Sequence, residues 1–272
     1  MNFTSKEFNN LQEMKLDEGV VHSESDFFYV PNSSKIIKIY HTKDSRYLIN
    51  KKRIVENLIK FNKSADISEL VIPEDFVYID NEFKGILLPK INGINSSKYL
   101  DSNVPISKKI EVLKKIGIIL EKVNKNNASF SDVHFDNFMV SNDNVFGIDT
   151  DGMKIFNERG VTNFYLYHLT SHNIDKYETD CYGIVYPSYN TDIYCYCMMI
   201  LSFLSGNKNF YINDLDDFNS YLKYLKSNGF DECLINSLYT IYNPDIDNIN
   251  PLNYLDSLCE DKVLIARKNF TR

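Results

Sequence analysis

The feature that most limits the fold of this chain is a change of hydrophobic period near residue 92. Before it, apolar residues come in short β-type runs. Phe27-Phe28-Tyr29-Val30 and Ile36-Ile37-Lys38-Ile39-Tyr40 flank a Pro31-Asn32-Ser33-Ser34 turn, and residues 76–79 and 85–88 flank Asp80-Asn81-Glu82. Each pair reads as a hairpin. Between them, residues 48–61 place Ile54, Leu58 and Phe61 at helical spacing. After Gly93 the helical period dominates. Residues 106–123 carry Ile106, Ile110, Leu113, Ile116, Leu120 and Val123 on one face. Two short strand candidates follow at 138–140 and 145–148, then helical stretches at 192–204, 215–226 and 231–241. This order predicts an α+β chain of two lobes: an antiparallel sheet with one helix over 1–92, and a mainly helical part over 93–272.

Composition narrows the function. The residues are 43% hydrophobic and 14% aromatic, enough to build a real core. A formal charge of −7 argues against nucleic acid as a partner. The basic run Lys51-Lys52-Arg53 reads as a solvated helix face. Five cysteines, Cys181, Cys195, Cys197, Cys233 and Cys259, show no C-x-x-C spacing. They imply neither a disulfide framework nor a zinc ribbon, and read as reduced, buried thiols of a cytoplasmic protein. The opening MNFTSKEFNNLQEM lacks the apolar core of a signal peptide. The most apolar run, 193–204, is too short to span a bilayer, so no membrane association is expected. His168 and His172 lie four apart without H-E-x-x-H, which does not call for a metal site.

Chemistry concentrates in two stretches, residues 131–140 and 146–152. An aspartate and an asparagine, Asp132 and Asn137, stand five apart after a long helix. A second aspartate, Asp149, follows an apolar strand. Phosphoryl transfer calls for such a set. A magnesium ion takes hard oxygen ligands, which a carboxylate and an amide can supply beside phosphate oxygens. A separate carboxylate orients the accepting hydroxyl and takes its proton, and a fixed cation neutralises phosphate charge. Lys38, within an apolar strand, is the candidate cation.

On these residues the chain resembles the protein-kinase superfamily, and in wording the bacterial-type Ser/Thr kinase-like proteins. Phe130-Ser131-Asp132 through Asn137 is similar to the catalytic loop H-R-D-x-x-x-x-N. Ile148-Asp149-Thr150-Asp151-Gly152 is similar to D-F-G in its first Asp, and Lys35-Ile36-Ile37-Lys38 to the V-A-I-K strand. The resemblance runs from about residue 19 to 206. It implies a bilobal fold and an ATP- and Mg²⁺-dependent transferase acting on a Ser or Thr hydroxyl of a protein. Asp132 would then be the base, Asn137 and Asp149 the magnesium ligands, and Lys38 the contact to the α- and β-phosphates. Glu56 would pair with Lys38 from the small-lobe helix. Asp192 would open a buried helix and hold the catalytic loop by hydrogen bonds.

The departures have consequences. No G-x-G-x-x-G occurs, and residues 19–26 put side chains where glycines normally let backbone N–H groups approach phosphates, which implies weak nucleotide affinity. Ser131 stands in place of the Arg that receives an activation-loop phosphate, so switching by that route is not expected. Asp151 occupies the D-F-G glycine position. Two alternatives follow: a pseudokinase acting as a regulatory module for a protein partner, and a kinase of small molecules such as aminoglycosides or choline.

Overall fold

The computed structural model describes residues 1–11, 15–16, 25–156, 160, 177–179, 181, 185–206, 215–239 and 250–268. The loop expected over the phosphates, at 19–24, and His168 and His172 lie outside them. The chain is α+β. It divides into two compact units, Met1–Asn92 with Ile148–Asp151, and Gly93–Gly147 with Gly152–Arg272.

The first unit is built on a five-stranded sheet of order β1-β4-β5-β3-β2. Its strands are β1 (Asn2–Phe3), β2 (Ser25–Tyr29), β3 (Lys35–Tyr40), β4 (Asp75–Ile79) and β5 (Glu82–Pro89). Both anticipated hairpins form, β2–β3 and β4–β5. The tip of β4–β5 is a two-residue turn in which Asp80 and Asn81 both take positive φ, 49° and 66°. Asp and Asn tolerate that region better than other side chains, and it matches the twist of the strands. The sheet is mixed rather than antiparallel throughout, because β1 runs parallel to β4. A two-residue strand carries no readable period. Its placement comes from tertiary bonds instead, Asp80 N–H to the Phe3 carbonyl at 2.9 Å and Ser5 N–H to Asp80 Oδ1 at 3.0 Å. A short helix, α1 (Ser5–Asn10), follows, opened by a Thr4–Glu7 capping box.

Strand alternation gives the sheet two different faces. On one, Phe28, Ile37, Val77 and Leu87 pack with Leu11, and with Phe3, Phe8, Val30 and Ile39 around them. On the other stand Lys38 and Tyr40, two positions apart on β3 and both buried. Helix α2 (Ser45–Ala65) packs against β5 and buries Leu48, Val55, Leu58 and Phe61. It is longer than the apolar spacing at 48–61 indicates, because Asp44 caps its start and Asp66, at φ 48°, closes its end.

The second unit holds a three-stranded sheet, β6 (Ile94–Asn95), β7 (Phe138–Ser141) and β8 (Asn144–Gly147). The β7–β8 turn again uses positive φ, at Asn142 and Asp143. Its helices include α3 (Ser96–Asp101), α4 (Ile106–Lys125), α5 (Tyr189–Ser205), α6 (Leu215–Ser227), α7 (Glu232–Leu238) and α8 (Glu260–Lys268). All six apolar positions anticipated on α4 are buried. Helix α5 is buried all round from Thr191 to Ser205, as a helix without a polar face must be. It approaches α4 closely at Gly117, where a Cβ would lie 2.6 Å from the Tyr196 hydroxyl. That hydroxyl donates to the Leu113 carbonyl at 2.8 Å. Among the described residues no helix is long and apolar enough to cross a membrane. The five thiols are all free, but only Cys195 and Cys197, on α5, are buried. The uniform burial expected of the cysteines is therefore corrected: Cys181, Cys233 and Cys259 lie outside the α5 core and are exposed.

At Gly85 strand β5 lies directly against β3. A Cβ there would come within 2.0 Å of the Lys38 carbonyl oxygen. Because the obstacle is backbone, it cannot rotate away. Gly85→Ala is expected to cost about 1–3 kcal/mol of stability, the scale of overpacking a well-filled interior. Urea unfolding of the two proteins measures this; equal midpoints would show that the strands have room to part.

Candidate functional site

The sequence-derived residues fall into two groups, one in each unit. In the first, β3 delivers Lys38 to the segment Ile148–Asp151. The Lys38 ammonium is ion-paired with Asp149 and lies 2.8 Å from Asp151 Oδ1. The segment is fastened to this unit by Thr150, whose hydroxyl donates to the Val71 carbonyl at 2.8 Å, and Asp149 takes a positive φ of 57° within it.

Asp151 is the centre of the group. Its side chain is 3% exposed, while that of Asp149 is 45% exposed. Besides Lys38 it receives the Tyr40 hydroxyl on Oδ2 at 2.8 Å and the Lys51 ammonium at 3.2 Å. Lys51 also donates to the Asp151 carbonyl at 3.2 Å. Burial by itself would push the Asp151 acid up, but the Lys38 and Lys51 ammoniums outweigh it and hold the group far below the ordinary carboxylate range. For Lys38 the balance has the same form: burial favours the neutral amine, and Asp151 and Asp149 overcome it, so the ammonium is firmly charged. The rings of Tyr40 and Tyr47 lie 5.7 and 5.8 Å from the Lys51 ammonium, within cation–π range.

The Lys38–Glu56 pair expected from the sequence is therefore corrected. Glu56 is exposed on α2, and the carboxylates on Lys38 are Asp149 and Asp151. The reason is the phase of the helix. Lys51 sits amid the buried stripe of Leu48, Val55 and Leu58, whereas Glu56, five residues on, points roughly 140° around the axis from it. Lys51 is correspondingly not on a solvated face, its side chain being only 12% exposed. Sequence reasoning missed Lys51 and Asp151. The signal for Lys51 was available: a lysine at i+3 from Leu48 and i−4 from Val55 lies in phase with the core.

In the second unit, Asp132 and Asn137 come together. The Asn137 amide nitrogen donates to the Asp132 backbone carbonyl at 2.8 Å and to its carboxylate Oδ2 at 3.0 Å. His134 Nε2 lies 3.4 Å from the same Oδ2. Asn137 ends a 3-10 turn, Phe135–Asn137, that is held from α3 and its cap. Asn95 Nδ2 donates to the Asp136 carbonyl at 2.7 Å, the Ser96 hydroxyl to the Phe135 carbonyl at 2.5 Å, and the Ser97 hydroxyl to Asp136 Oδ1 at 2.6 Å. Both nitrogen-bound protons of Asn137 are thus directed at Asp132, which leaves its amide oxygen as a hard donor.

The loop ahead of Asp132 is anchored by Asp192 from the first turn of α5. Fully buried, this carboxylate accepts from Phe130 N–H at 2.8 Å, Ser131 N–H at 2.9 Å and the Ser129 hydroxyl at 2.9 Å. Ser131 is held at φ 73°, and its hydroxyl accepts from Lys154 N–H at 3.0 Å. Burial pushes the Asp192 acid up to about 7, even though the three donors favour its ionised form.

Among the described residues no three His, Cys, Asp or Glu side chains gather to hold a metal ion by themselves. A cation held here would need oxygens from a ligand as well. Compared with known proteins, the sequence matches no protein-family model and no curated protein.

A carboxyl group whose pKa is raised by folding stabilises the fold fully below its unfolded value, near 3.8, and loses that contribution as pH rises through the folded value, about 7. Wild type should therefore exceed Asp192→Asn in stability most at pH 4. The margin should narrow by about 2–4 kcal/mol by pH 8. Denaturant titrations of both proteins across this range test it; a margin independent of pH would show that Asp192 does not change its proton count on folding.

Proposed function

We propose that this chain is an ATP- and Mg²⁺-dependent phosphotransferase with a protein-kinase-like bilobal fold, moving the γ-phosphoryl group to a Ser or Thr hydroxyl of a protein. The observation that carries the reading is the Lys38–Asp149 pair. Two residues 111 positions apart, picked from the sequence as the phosphate cation and a magnesium ligand, meet in one unit. The joined Asp132 and Asn137 support it from the other unit.

The donor set suits the group it would hold. Asp149 offers an exposed carboxylate and Asn137 an amide oxygen, each a hard ligand of the kind magnesium takes beside phosphate oxygens. Held by such ligands, magnesium would supply charge screening and polarisation of the phosphate. The remaining work belongs to the protein. Lys38 neutralises phosphate oxygens, and Asp132, oriented by Asn137, hydrogen-bonds the accepting hydroxyl and takes its proton. Asp192 keeps the loop that carries Asp132 in one shape. Catalysis in this scheme is positioning and charge neutralisation, with no covalent intermediate on the protein. Exposed free thiols suit a reducing, cytoplasmic setting.

A second reading, a regulatory module without turnover, rests on one observation: Lys38 is held by two carboxylates rather than one. The two readings separate cleanly. In the enzyme, ATP with Mg²⁺ raises the melting temperature, and incubation with both adds 80-Da steps to the intact mass of the chain or of an added substrate (about 80 Da being the mass of one transferred phosphoryl group). Asp149→Asn should abolish magnesium-dependent nucleotide binding. Asp132→Asn should keep binding and lower turnover by about 10²–10⁴-fold. Full turnover by Asp132→Asn would overturn the mechanism, and no nucleotide-dependent stabilisation of wild type would favour the regulatory module.

A further inference from the structure

The acid–ammonium group of the first unit has an unusual composition. Two carboxylates, Asp149 and Asp151, face two ammoniums, Lys38 and Lys51. The charges balance, but not symmetrically. Asp151 is sealed from water and bound by both lysines and Tyr40, whereas Asp149 is exposed and bound by Lys38. Lys51 is itself fixed, by two bonds to Asp151 and by the rings of Tyr40 and Tyr47. Lys38 is the ammonium shared between the fixed acid and the exposed one.

That asymmetry bears on what the group can give a phosphate. An ammonium offered to an anion must leave its carboxylates at little cost. If Asp151 had Lys38 as its sole cation, removing Lys38 would strand a buried charge, which is strongly unfavourable. With Lys51 in place, Asp151 stays compensated when Lys38 turns to another anion. Asp149 is compensated in the same event if it takes up a divalent cation. The balance then comes out two positive charges in favour of the incoming phosphate, one on Lys38 and one left over from the dication on Asp149.

We infer that Lys51 is a positioning residue of the phosphate site: it supplies Asp151 with a permanent counter-charge and so leaves the Lys38 ammonium available to a nucleotide's phosphates. This inference rests on the phosphotransferase reading, and names the part of the site that replaces the pairing first expected of Glu56. Lys51 acts through Asp151 and Lys38, so its signature is charge compensation rather than contact. Removing its charge should lock Lys38 onto Asp151. Removing the charge of Asp151 as well should release Lys38 again.

The test is a charge-balance cycle on the full chain, read as the affinity for ATP with Mg²⁺ by calorimetry. Lys51→Met should bind about ten-fold or more weakly, while Lys51→Arg, which keeps the charge, should stay within about three-fold of wild type. The double variant Lys51→Met with Asp151→Asn should recover to within about three-fold, since each charge removed cancels the other. A thermal scan of each variant without ligand accompanies the titration. Should Lys51→Met not fold, the double variant carries the test, because a balanced pair of losses leaves no stranded charge. A double variant that is unfolded, or that binds ten-fold weakly, overturns the inference, as does Lys51→Met with wild-type affinity. Wild type that binds no nucleotide would instead overturn the phosphotransferase reading, an outcome the variants do not imitate.

Discussion

A carboxylate cut off from water must be met by positive charge, and the first unit is arranged around meeting Asp151. Three elements contribute: β3 with Lys38 and Tyr40, α2 with Lys51, and, from about a hundred residues further on, the 148–151 segment itself. Burying one ion is expensive, and mutual attraction repays the cost only when the geometry is good and the remaining lone pairs are satisfied. Here both Asp151 oxygens have partners. The same group explains why four residues from the middle of the chain belong with the first 92: Thr150 hydrogen-bonds Val71, and Asp151 pairs with two lysines of that unit.

The second unit solves a related problem with different chemistry. Its buried carboxylate, Asp192, meets no lysine within ion-pair distance among the described residues. It is satisfied by two backbone N–H groups and one hydroxyl. Hydrogen bonds of this kind define shape rather than balance charge, which is what a loop carrying Asp132 requires. The consequence is a group that retains its proton further toward neutral pH than a surface aspartate does, whereas the two lysines hold Asp151 far below the ordinary carboxylate range. The two buried acids thus divide the labour: one fixes electrostatics, the other fixes a backbone.

Much of this was legible in the residues. Periodicity located β2, β3, β4, β5, α2, α4 and α5, because each is long enough for alternation or a helical stripe to repeat. Asp132 with Asn137, and Lys38 with Asp149, were singled out by residue type and spacing, and each pair is in contact. The two-residue strands β1 and β6 and the short helices α1, α3 and α8 were not read. A segment that short is stabilised by what it docks on, as β1 is by Asp80, and its own sequence carries little of that information. Glu56 misled for a different reason: charge sign alone made it the partner of a lysine, while the phase of the helix had already turned it to solvent.

The sequence by itself determined the α+β class, the change of architecture near residue 92, and the candidate pairs Lys38 with Asp149 and Asp132 with Asn137. These follow from local period and functional-group chemistry, which neighbouring residues encode directly. Only the tertiary structure decided which carboxylates meet Lys38, that Lys51 pairs with Asp151, and that β1 makes the sheet mixed. Those outcomes depend on charge balance and docking between segments as much as 113 residues apart, and the order of residues along a chain does not state what lies beside them in space.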